Sequence, residues 1–173
     1  MELWDLYDSN GCLTGLEIQR GQEIPAGYYH LCVEVWIMGP DGRFLIQKRS
    51  AQKRVLPDTW GMTTGSALRG ENGREACVRE AREELGILLP KDRLCPALRV
   101  FREHTIWEVY FIRQDYNLSC AVLQEEEVSE AAWADLEEIR RLLDSGDFYR
   151  YLEMDEMLRF AERFQKEAGL PLS

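Results

Sequence analysis

Short stretches in which apolar residues alternate with polar ones predict most of the β-structure of this chain. They cover residues 3–7, 14–18, 30–38, 43–48, 94–103, 106–113 and 128–134. Asn10 and Gly11 lie between the first two stretches and are typical of a tight turn, so an N-terminal β-hairpin is expected. The stretch HLCVEVWIM at residues 30–38 is rich in Val, Ile and Trp, which favours a central strand. A shorter extended segment is predicted at residues 59–64.

Three segments are predicted to be helical, at residues 73–85, 136–143 and 152–168. Asn72 is suited to cap the first helix, and Gly86 is suited to end it. The third helix carries apolar side chains at helical spacing, namely Met154, Met157, Leu158, Ala161 and Phe164. We expect this face to pack in the core, with a homodimer contact as the alternative.

The order of these elements predicts an α/β fold in which helices cover both faces of a mixed β-sheet. A chain of 173 residues is long enough for one domain with a full core. We therefore expect one domain over residues 1–173. It would consist of an N-terminal hairpin extension at 1–29, a core at 30–143 and a C-terminal helix at 144–173.

The net charge of −10 argues against polymeric nucleic acid and anionic membrane as partners. Nucleotides stay open, because a bound metal ion and a few arginines reverse the local field. Five cysteines without a CxxC pair are typical of free thiols in a reducing cytoplasm, which is the expected location. The acidic N-terminus is unlike a signal peptide, and apolar runs such as LCVEVWIM are too short to span a membrane.

Three glutamates in the first predicted helix indicate chemistry. Glu80, Glu83 and Glu84 lie at positions i, i+3 and i+4, which places their carboxylates on one helix face. Like charges at this spacing repel one another, and a hard divalent cation relieves the repulsion because it prefers carboxylate oxygens. Taken alone, the same pattern is also typical of a solvated acidic surface.

The stretch GSALRGENGREACVREAREELGI, residues 65–87, resembles the Nudix box. In that pattern a glycine and a glutamate precede Arg-Glu-aliphatic-any-Glu-Glu-any-Gly-aliphatic at fixed spacing. The matching residues are Gly65, Glu71, Arg79, Glu80, Ala81, Glu83, Glu84, Gly86 and Ile87. Ala81 is a soft departure, because the family usually has a bulkier aliphatic residue there. The resemblance implies an α/β/α sandwich and hydrolysis of a small-molecule diphosphate with Mg²⁺, or Mn²⁺ as the other candidate ion.

The resemblance also implies roles for individual residues. The implied metal ligands are Gly65, through its carbonyl, Glu80, Glu83 and Glu84. Glu80 is either a ligand or the base that activates water. Arg79 lies four residues before Glu83, so it is expected to pair with that carboxylate and orient it. Glu71 is expected to anchor the loop that leads into the helix.

A second acidic cluster, at residues 125–127, precedes the last predicted strand. In many Nudix enzymes a glutamate in this place completes the metal site, and Glu127 matches it best, with Glu125 next. The alternative is an acidic loop in solvent. Activation of water requires a carboxylate within hydrogen-bond reach, and both Glu80 and Glu127 are candidates.

The predicted substrate-binding residues are basic or aromatic. Arg49 and Lys48 end a strand that the family places beside its pocket, and Arg49 is suited to bidentate phosphate binding. Trp60 and Trp107 are candidates for stacking on a base or an isoprenoid chain, with core positions as the alternative. Arg102 ends a predicted strand and is a further candidate for binding phosphate.

The flanking segments are similar to the isopentenyl-diphosphate isomerase type of Nudix enzyme. The resemblance rests on YHL at residues 29–31, VWI at 35–37, QKR at 47–49, and Trp60. In those isomerases a histidine at the place of His30 is a metal ligand. They also need a reactive cysteine in a Cys-x-His-Pro segment, and this chain has Gly65 at that place. We therefore expect a hydrolase rather than an isomerase. The third alternative is a non-catalytic module that binds diphosphate ligands, which the intact box glutamates disfavour.

Overall fold

The computed structural model describes residues 2–169. In chain order the regular elements are β1 (Leu3–Tyr7), β2 (Leu13–Gln19), β3 (His30–Met38), β4 (Phe44–Arg49), β5 (Trp60–Gly61), β6 (Thr63–Ser66), α1 (Gly73–Leu85), β7 (Cys95–Arg102), β8 (Thr105–Arg113), β9 (Val128–Ala134), α2 (Leu136–Ser145) and α3 (Met154–Glu167). Two short 3₁₀ turns, Lys91–Arg93 and Leu118–Cys120, were not predicted. The outer limits of the predicted domain, residues 1 and 173, lie outside the described residues.

The predicted N-terminal hairpin is confirmed. Strands β1 and β2 form a two-stranded antiparallel sheet of their own, and Gly11 turns the chain with a φ of +76°, which glycine adopts without strain. The hairpin is tied to the rest of the protein by reciprocal backbone hydrogen bonds between Tyr7 and Tyr29, at 2.8 and 3.0 Å. It therefore lies directly beside the start of β3.

The main sheet is mixed, as predicted. Its centre is β3, which pairs in parallel with β8 and antiparallel with β6. Strand β4 pairs antiparallel with β5 and β9, and β7 pairs antiparallel with β8. The predicted single extended segment at residues 59–64 is instead divided into β5 and β6, which pair with different strands.

The predicted alternation along β3 is wrong, because all nine of its residues are buried. Helix α1 covers one face of the sheet, over Val33 and Val35, while α2 and α3 cover the other, over Trp36 and Phe111. Both faces are therefore core, which confirms the α/β/α arrangement. One consequence is that the carboxyl group of Glu34 lies in a buried strand, with 2% of the residue exposed.

Helix α1 has the predicted limits because its ends are specified locally. The side chain of Asn72 accepts hydrogen bonds from the backbone of Arg74 and Glu75, and the Glu75 side chain bonds back to the Asn72 backbone. This is a capping box. Gly86 ends the helix with a φ of 72°. Ala81 is fully buried against the sheet, so the small residue at this place in the box serves close packing.

The apolar face of α3 packs in the core, as expected. Met154, Met157 and Ala161 are almost completely buried, and Phe160 and Phe164 contact Phe111 with ring centroids 4.6 and 5.4 Å apart. Because this face is buried within the protein, it is not available for the homodimer contact that was the alternative. All five cysteines are free. Among residues 2–169, no helix is both long enough and apolar enough to cross a membrane.

Candidate active site

A cavity of about 260 Å³ lies at the meeting point of the hairpin, β3, β6 and α1. It brings together most of the residues that the sequence singled out. These are Arg49, Gly65, Arg79, Glu80, Glu83, Glu84, Trp107 and Glu127. The cavity is therefore the place where the predicted metal ligands other than His30 and part of the predicted substrate contacts meet.

Arg79 organises the acidic side of this cavity. Its guanidinium donates to Glu71 Oε1 at 2.8 Å, to Glu80 Oε1 at 2.8 Å and to Glu83 Oε2 at 3.0 Å. It also donates to the carbonyl of Ser66 at 2.8 Å, which joins the helix to β6. Glu71 accepts a further bond from the backbone of the loop before α1. The predicted pairing of Arg79 with Glu83 and the anchoring role of Glu71 are both confirmed.

Two of the box carboxyls are held in a partly desolvated state. Burial raises the pKa of Glu80 to about 7, although the neighbouring Arg79 opposes the shift. Burial likewise raises the pKa of Glu84 to about 8, against the opposing effect of the Gln47 amide, which donates to Glu84 Oε2 at 2.6 Å. Glu83 differs, since 52% of its side chain is exposed.

The metal-free protein should lose stability as the pH rises through these pKa values. Between about pH 4.5, the usual glutamate value, and pH 8, folded Glu80 and Glu84 hold protons that the unfolded chain has released. Rising pH then favours unfolding. Melting temperatures in EDTA should fall from pH 5 to pH 8.5, and less steeply in the Glu80→Gln/Glu84→Gln double variant. Equal slopes in both proteins would contradict this assignment.

Gly65 allows Glu80 to reach into the cavity. A Cβ atom at residue 65 would lie 1.9 Å from Glu80 Oε1 and 2.0 Å from Glu80 Cδ. Such a contact is impossible, so any side chain here displaces the carboxylate. Because the displaced atoms are the far end of a flexible side chain, the fold itself can adjust.

Gly65→Ala should therefore separate activity from stability. We expect hydrolysis to fall by about 10²-fold, the size of effect that a misplacement of about 1 Å produces. The melting temperature should change little, because only the end of Glu80 moves. Steady-state kinetics would measure the loss of hydrolysis, and circular dichroism melting of the same preparation would measure the change in melting temperature. Full activity would mean that the position of Glu80 is unimportant.

Basic side chains face the carboxylates across the cavity. Lys53 forms an ion pair with Glu127, and Arg49 donates through Nε to the carbonyl of Val55 at 3.1 Å. Arg20, from the end of the hairpin, also lines the cavity. Within residues 2–169, no three His, Cys, Asp or Glu side chains are close enough to form a complete metal-binding group. The cavity thus offers carboxylates for a cation and separate basic groups for an anion.

A second cavity of about 180 Å³ adjoins the first. Arg49, Thr64 and Trp107 line both of them. The wall of the second cavity is largely aromatic or apolar and includes Trp60, Tyr149, Phe148, Val55, Leu56 and Met62. A ligand with one charged end and one apolar or aromatic end would fit across the two.

Some predicted site residues lie outside the first cavity. Lys48 is paired with Glu130 at 3.1 Å, and Arg102 is paired with Glu153 at 2.5 Å. His30 is buried and stacks on Trp4 with ring centroids 4.0 Å apart. Burial lowers the pKa of His30 to about 4, so its imidazole is neutral at physiological pH. Trp60 lines only the second cavity.

The sequence of the chain matches the NUDIX domain family over residues 28–154. The chain belongs to the Nudix hydrolase family. Members of this family act on diphosphate bonds and generally use divalent metal ions. The acidic cavity described above is consistent with this activity.

One relative supports the same assignment over nearly the whole chain, while a more distant enzyme and a solved structure show how far the similarity in sequence and in fold extends. An uncharacterized Nudix hydrolase of Listeria monocytogenes is 37% identical over 158 residues, which are 91% of this chain and 94% of the relative. The isopentenyl-diphosphate Δ-isomerase of Escherichia coli is 25% identical over 149 residues, 81% of this chain and 80% of that one. The crystal structure of the Deinococcus radiodurans protein DR0079 has the same fold, with a TM-score of 0.73, 22% identity, and coverage of 92% of this chain and 99% of that chain.

Sequence reasoning missed several cavity residues. Lys53 and Arg20 lie in segments without a motif, and no local signal indicates that they face the carboxylates. Glu34 is different, because a carboxylate in the middle of HLCVEVWIM is a charged residue in a buried strand. Such a residue is a candidate for a functional site whenever its strand is predicted to be central.

Proposed function

We propose that the protein is a Mg²⁺-dependent hydrolase that cleaves the diphosphate linkage of a nucleoside diphosphate joined to another moiety, or of a similar organic diphosphate. The observation that carries this proposal is the position of Glu80 and Glu84. Both carboxyls project from α1 into one cavity whose other side carries Arg49 and Lys53. Family membership supports cleavage of a diphosphate bond. The carboxylates and basic groups in the cavity support the cavity as the place where the cleavage occurs.

The chemistry of the oxygen donors suits a hard divalent cation, and the carboxylates would have to move closer together to hold it, because no three of them within residues 2–169 already form a metal-binding group. Glu80, Glu83, Glu84 and Glu127 supply carboxylate oxygens around the cavity, and these are the ligands that Mg²⁺ prefers. The absence of a side chain at Gly65 leaves room for Glu80 to approach. Mn²⁺ is the alternative ion for the same oxygens. When bound, such an ion would neutralise charge on the phosphate oxygens and make water a better nucleophile.

Individual residues of the chain would bind the phosphate groups, accept the proton from water and orient the carboxylates. Arg49 binds and orients the phosphate groups, because its guanidinium matches phosphate oxygens in pairs. Glu80 is our candidate to take the proton from the attacking water, because its carboxyl lines the cavity and Arg79 holds it in place. Glu127 is the alternative base, although its carboxylate is paired with Lys53. Arg79 orients Glu80 and Glu83 through its three ion pairs.

One observation favours the isomerase alternative. The thiol of Cys32 lines the cavity opposite Ser66, although it belongs to β3 and not to the loop in which those isomerases carry their cysteine. Burial raises the pKa of this thiol to about 11, so it is protonated at neutral pH. A proton donor beside the diphosphate site is one requirement of double-bond isomerisation.

The test is a panel of diphosphate compounds incubated with the full chain, with Mg²⁺ or with EDTA. The panel contains nucleoside triphosphates, nucleotide sugars, dinucleoside polyphosphates, NADH and isopentenyl diphosphate. We expect Mg²⁺-dependent release of phosphate or nucleotide from at least one nucleotide compound. Double-bond migration in isopentenyl diphosphate without cleavage would support the isomerase, and tight binding without either reaction would support a non-catalytic module.

A further inference from the structure

Two buried polar side chains, Gln47 and Thr63, connect Glu84 to the sheet. Successive residues of β4 point to opposite faces, so Leu45, Gln47 and Arg49 share one face. Leu45 packs in the core beneath α1, and Arg49 lines the first cavity. Gln47 lies between them and is 3% exposed. An amide at such a position is stable only when its donor and its acceptor find partners inside the protein.

Both ends of the Gln47 amide have such a partner. Its Nε2 donates to Glu84 Oε2 at 2.6 Å, and its Oε1 accepts from the Thr63 hydroxyl at 3.1 Å. Thr63 belongs to β6 and is 2% exposed. An ionised carboxylate only accepts hydrogen bonds, so the nitrogen of the amide has to face Glu84. The Thr63 hydroxyl donates to the opposite end and thereby holds the amide in this orientation.

The hydrogen bond from Gln47 distinguishes the two oxygens of Glu84. Oε2 is held by the amide, whereas Oε1 accepts no hydrogen bond from any group of residues 2–169. Since Glu84 lines the first cavity, Oε1 is left for a ligand there. The amide is neutral, so it orients the carboxylate without cancelling its charge. Arg79, by contrast, holds Glu80 through a positive charge.

We propose that Gln47 is a positioning residue of the metal site, which fixes one oxygen of Glu84 so that the other faces the cation, and that Thr63 fixes Gln47 in turn. This inference rests on the proposed function, because it takes Glu84 as a ligand of the cation. Glu84 would be the fixed ligand, whereas Glu83, with 52% of its side chain exposed, has room to move toward it. Removal of a hydrogen-bond partner of a metal ligand typically lowers metal affinity or activity by about 10- to 100-fold.

Two other roles for Gln47 make different predictions. If it only satisfies polar groups in the core, its removal lowers the melting temperature and leaves the metal affinity of the folded protein unchanged. Gln47 also lines the second cavity, so a direct contact with substrate is the other role. A substrate contact would alter KM without altering the binding of a metal ion in the absence of substrate. Metal affinity measured without substrate therefore separates the positioning role from both.

Binding of Mn²⁺ to the full chain, measured by electron paramagnetic resonance without substrate, tests the proposal. The signal of free Mn²⁺ gives the Kd for each variant. Gln47→Met keeps the length of the side chain and removes the donor, and we expect it to weaken Mn²⁺ binding about 10- to 100-fold. Thr63→Val keeps the shape of the side chain without the hydroxyl. It should weaken binding to a smaller extent, because the amide is retained but is free to turn, and it keeps the test decisive if Gln47→Met does not fold.

The two substitutions should not be additive. Thr63 acts on Glu84 only through Gln47, so the Gln47→Met/Thr63→Val double variant should bind Mn²⁺ as tightly as Gln47→Met alone. Gln165→Met is the matched control. Gln165 is also a glutamine with 3% exposure, and its amide donates to the carbonyl of Gly42 at 2.8 Å, but it lines neither cavity. It should retain wild-type affinity for Mn²⁺ even if its melting temperature falls.

The outcomes separate this inference from the proposed function. Weaker Mn²⁺ binding in both site variants, without additivity and without loss in the control, supports the positioning role. Wild-type affinity in every folded site variant overturns it, and Mg²⁺-dependent hydrolysis by the same proteins would leave the proposed function intact. Additive losses, or a loss in Gln47→Met alone, overturn the relay from Thr63 through Gln47. A wild type that binds no Mn²⁺ removes the proposed metal site itself, and the positioning role with it.

Discussion

Glu84→Gln should reduce Mg²⁺-dependent hydrolysis by about 10²- to 10³-fold, the loss typical when one preorganised electrostatic contact at a reacting centre is removed. Glu84 is 5% exposed and lines the cavity, so a carboxylate on the protein surface cannot easily replace it as a ligand inside the cavity. Glutamine keeps the size of the side chain but removes the negative charge that a divalent cation requires. The loss should appear mainly in kcat/KM and should diminish little at high Mg²⁺.

The fold of this variant should survive, for an electrostatic reason. Burial already raises the pKa of Glu84 to about 8, so the charged form is disfavoured and a neutral side chain is tolerated. The melting temperature in EDTA at pH 8.5 should therefore be equal to or higher than that of the wild type. Glu75→Gln on the same helix is the control, because Glu75 forms the capping box and does not line the cavity. Wild-type turnover by Glu84→Gln would remove Glu84 from the proposed metal site.

Local signals in the sequence were sufficient to predict α1. A cap residue, a capping-box partner and a terminal glycine are all within the segment itself, at Asn72, Glu75 and Gly86. The stacking of the box glutamates also follows from helix geometry alone. The prediction that Arg79 pairs with Glu83 was correct for the same reason, because the two residues are one helical turn apart.

Contacts between distant segments were beyond such reasoning. Lys53 and Glu127 are 74 residues apart in the chain, and Tyr151 and Glu34 are 117 apart. The first pair depends on how a loop and the start of β9 meet, and the second on how the segment before α3 covers the sheet. The uniform burial of β3 had the same origin, since it depends on helices that come later in the sequence. The acidic half of the site could therefore be predicted, whereas most of its basic residues and the second cavity could not.

Arg79→Ala should destabilise the protein by about 2–3 kcal/mol, somewhat less than the 3–5 kcal/mol typical of breaking a fully buried ion pair. The discount reflects the exposure of the Arg79 side chain, which is 20%. Removal of the guanidinium leaves Glu71, Glu80 and Glu83 without their shared counter-charge and breaks the bond to the Ser66 carbonyl. For a chain of this size the melting temperature should fall by roughly 5–10 °C.

Three comparisons show whether electrostatics is the cause. Arg82→Ala on the same helix should change little, because Arg82 is exposed and forms no ion pair with residues 2–169. Arg79→Lys should recover only part of the loss, since an ammonium group cannot reproduce the fork that bonds several oxygens at once. The loss in Arg79→Ala should also be smaller at pH 5.5 than at pH 8.5, because Glu80 is protonated at the lower pH and no longer needs a counter-charge. A loss of equal size at both values would instead assign the role of Arg79 to packing and to its bond with β6.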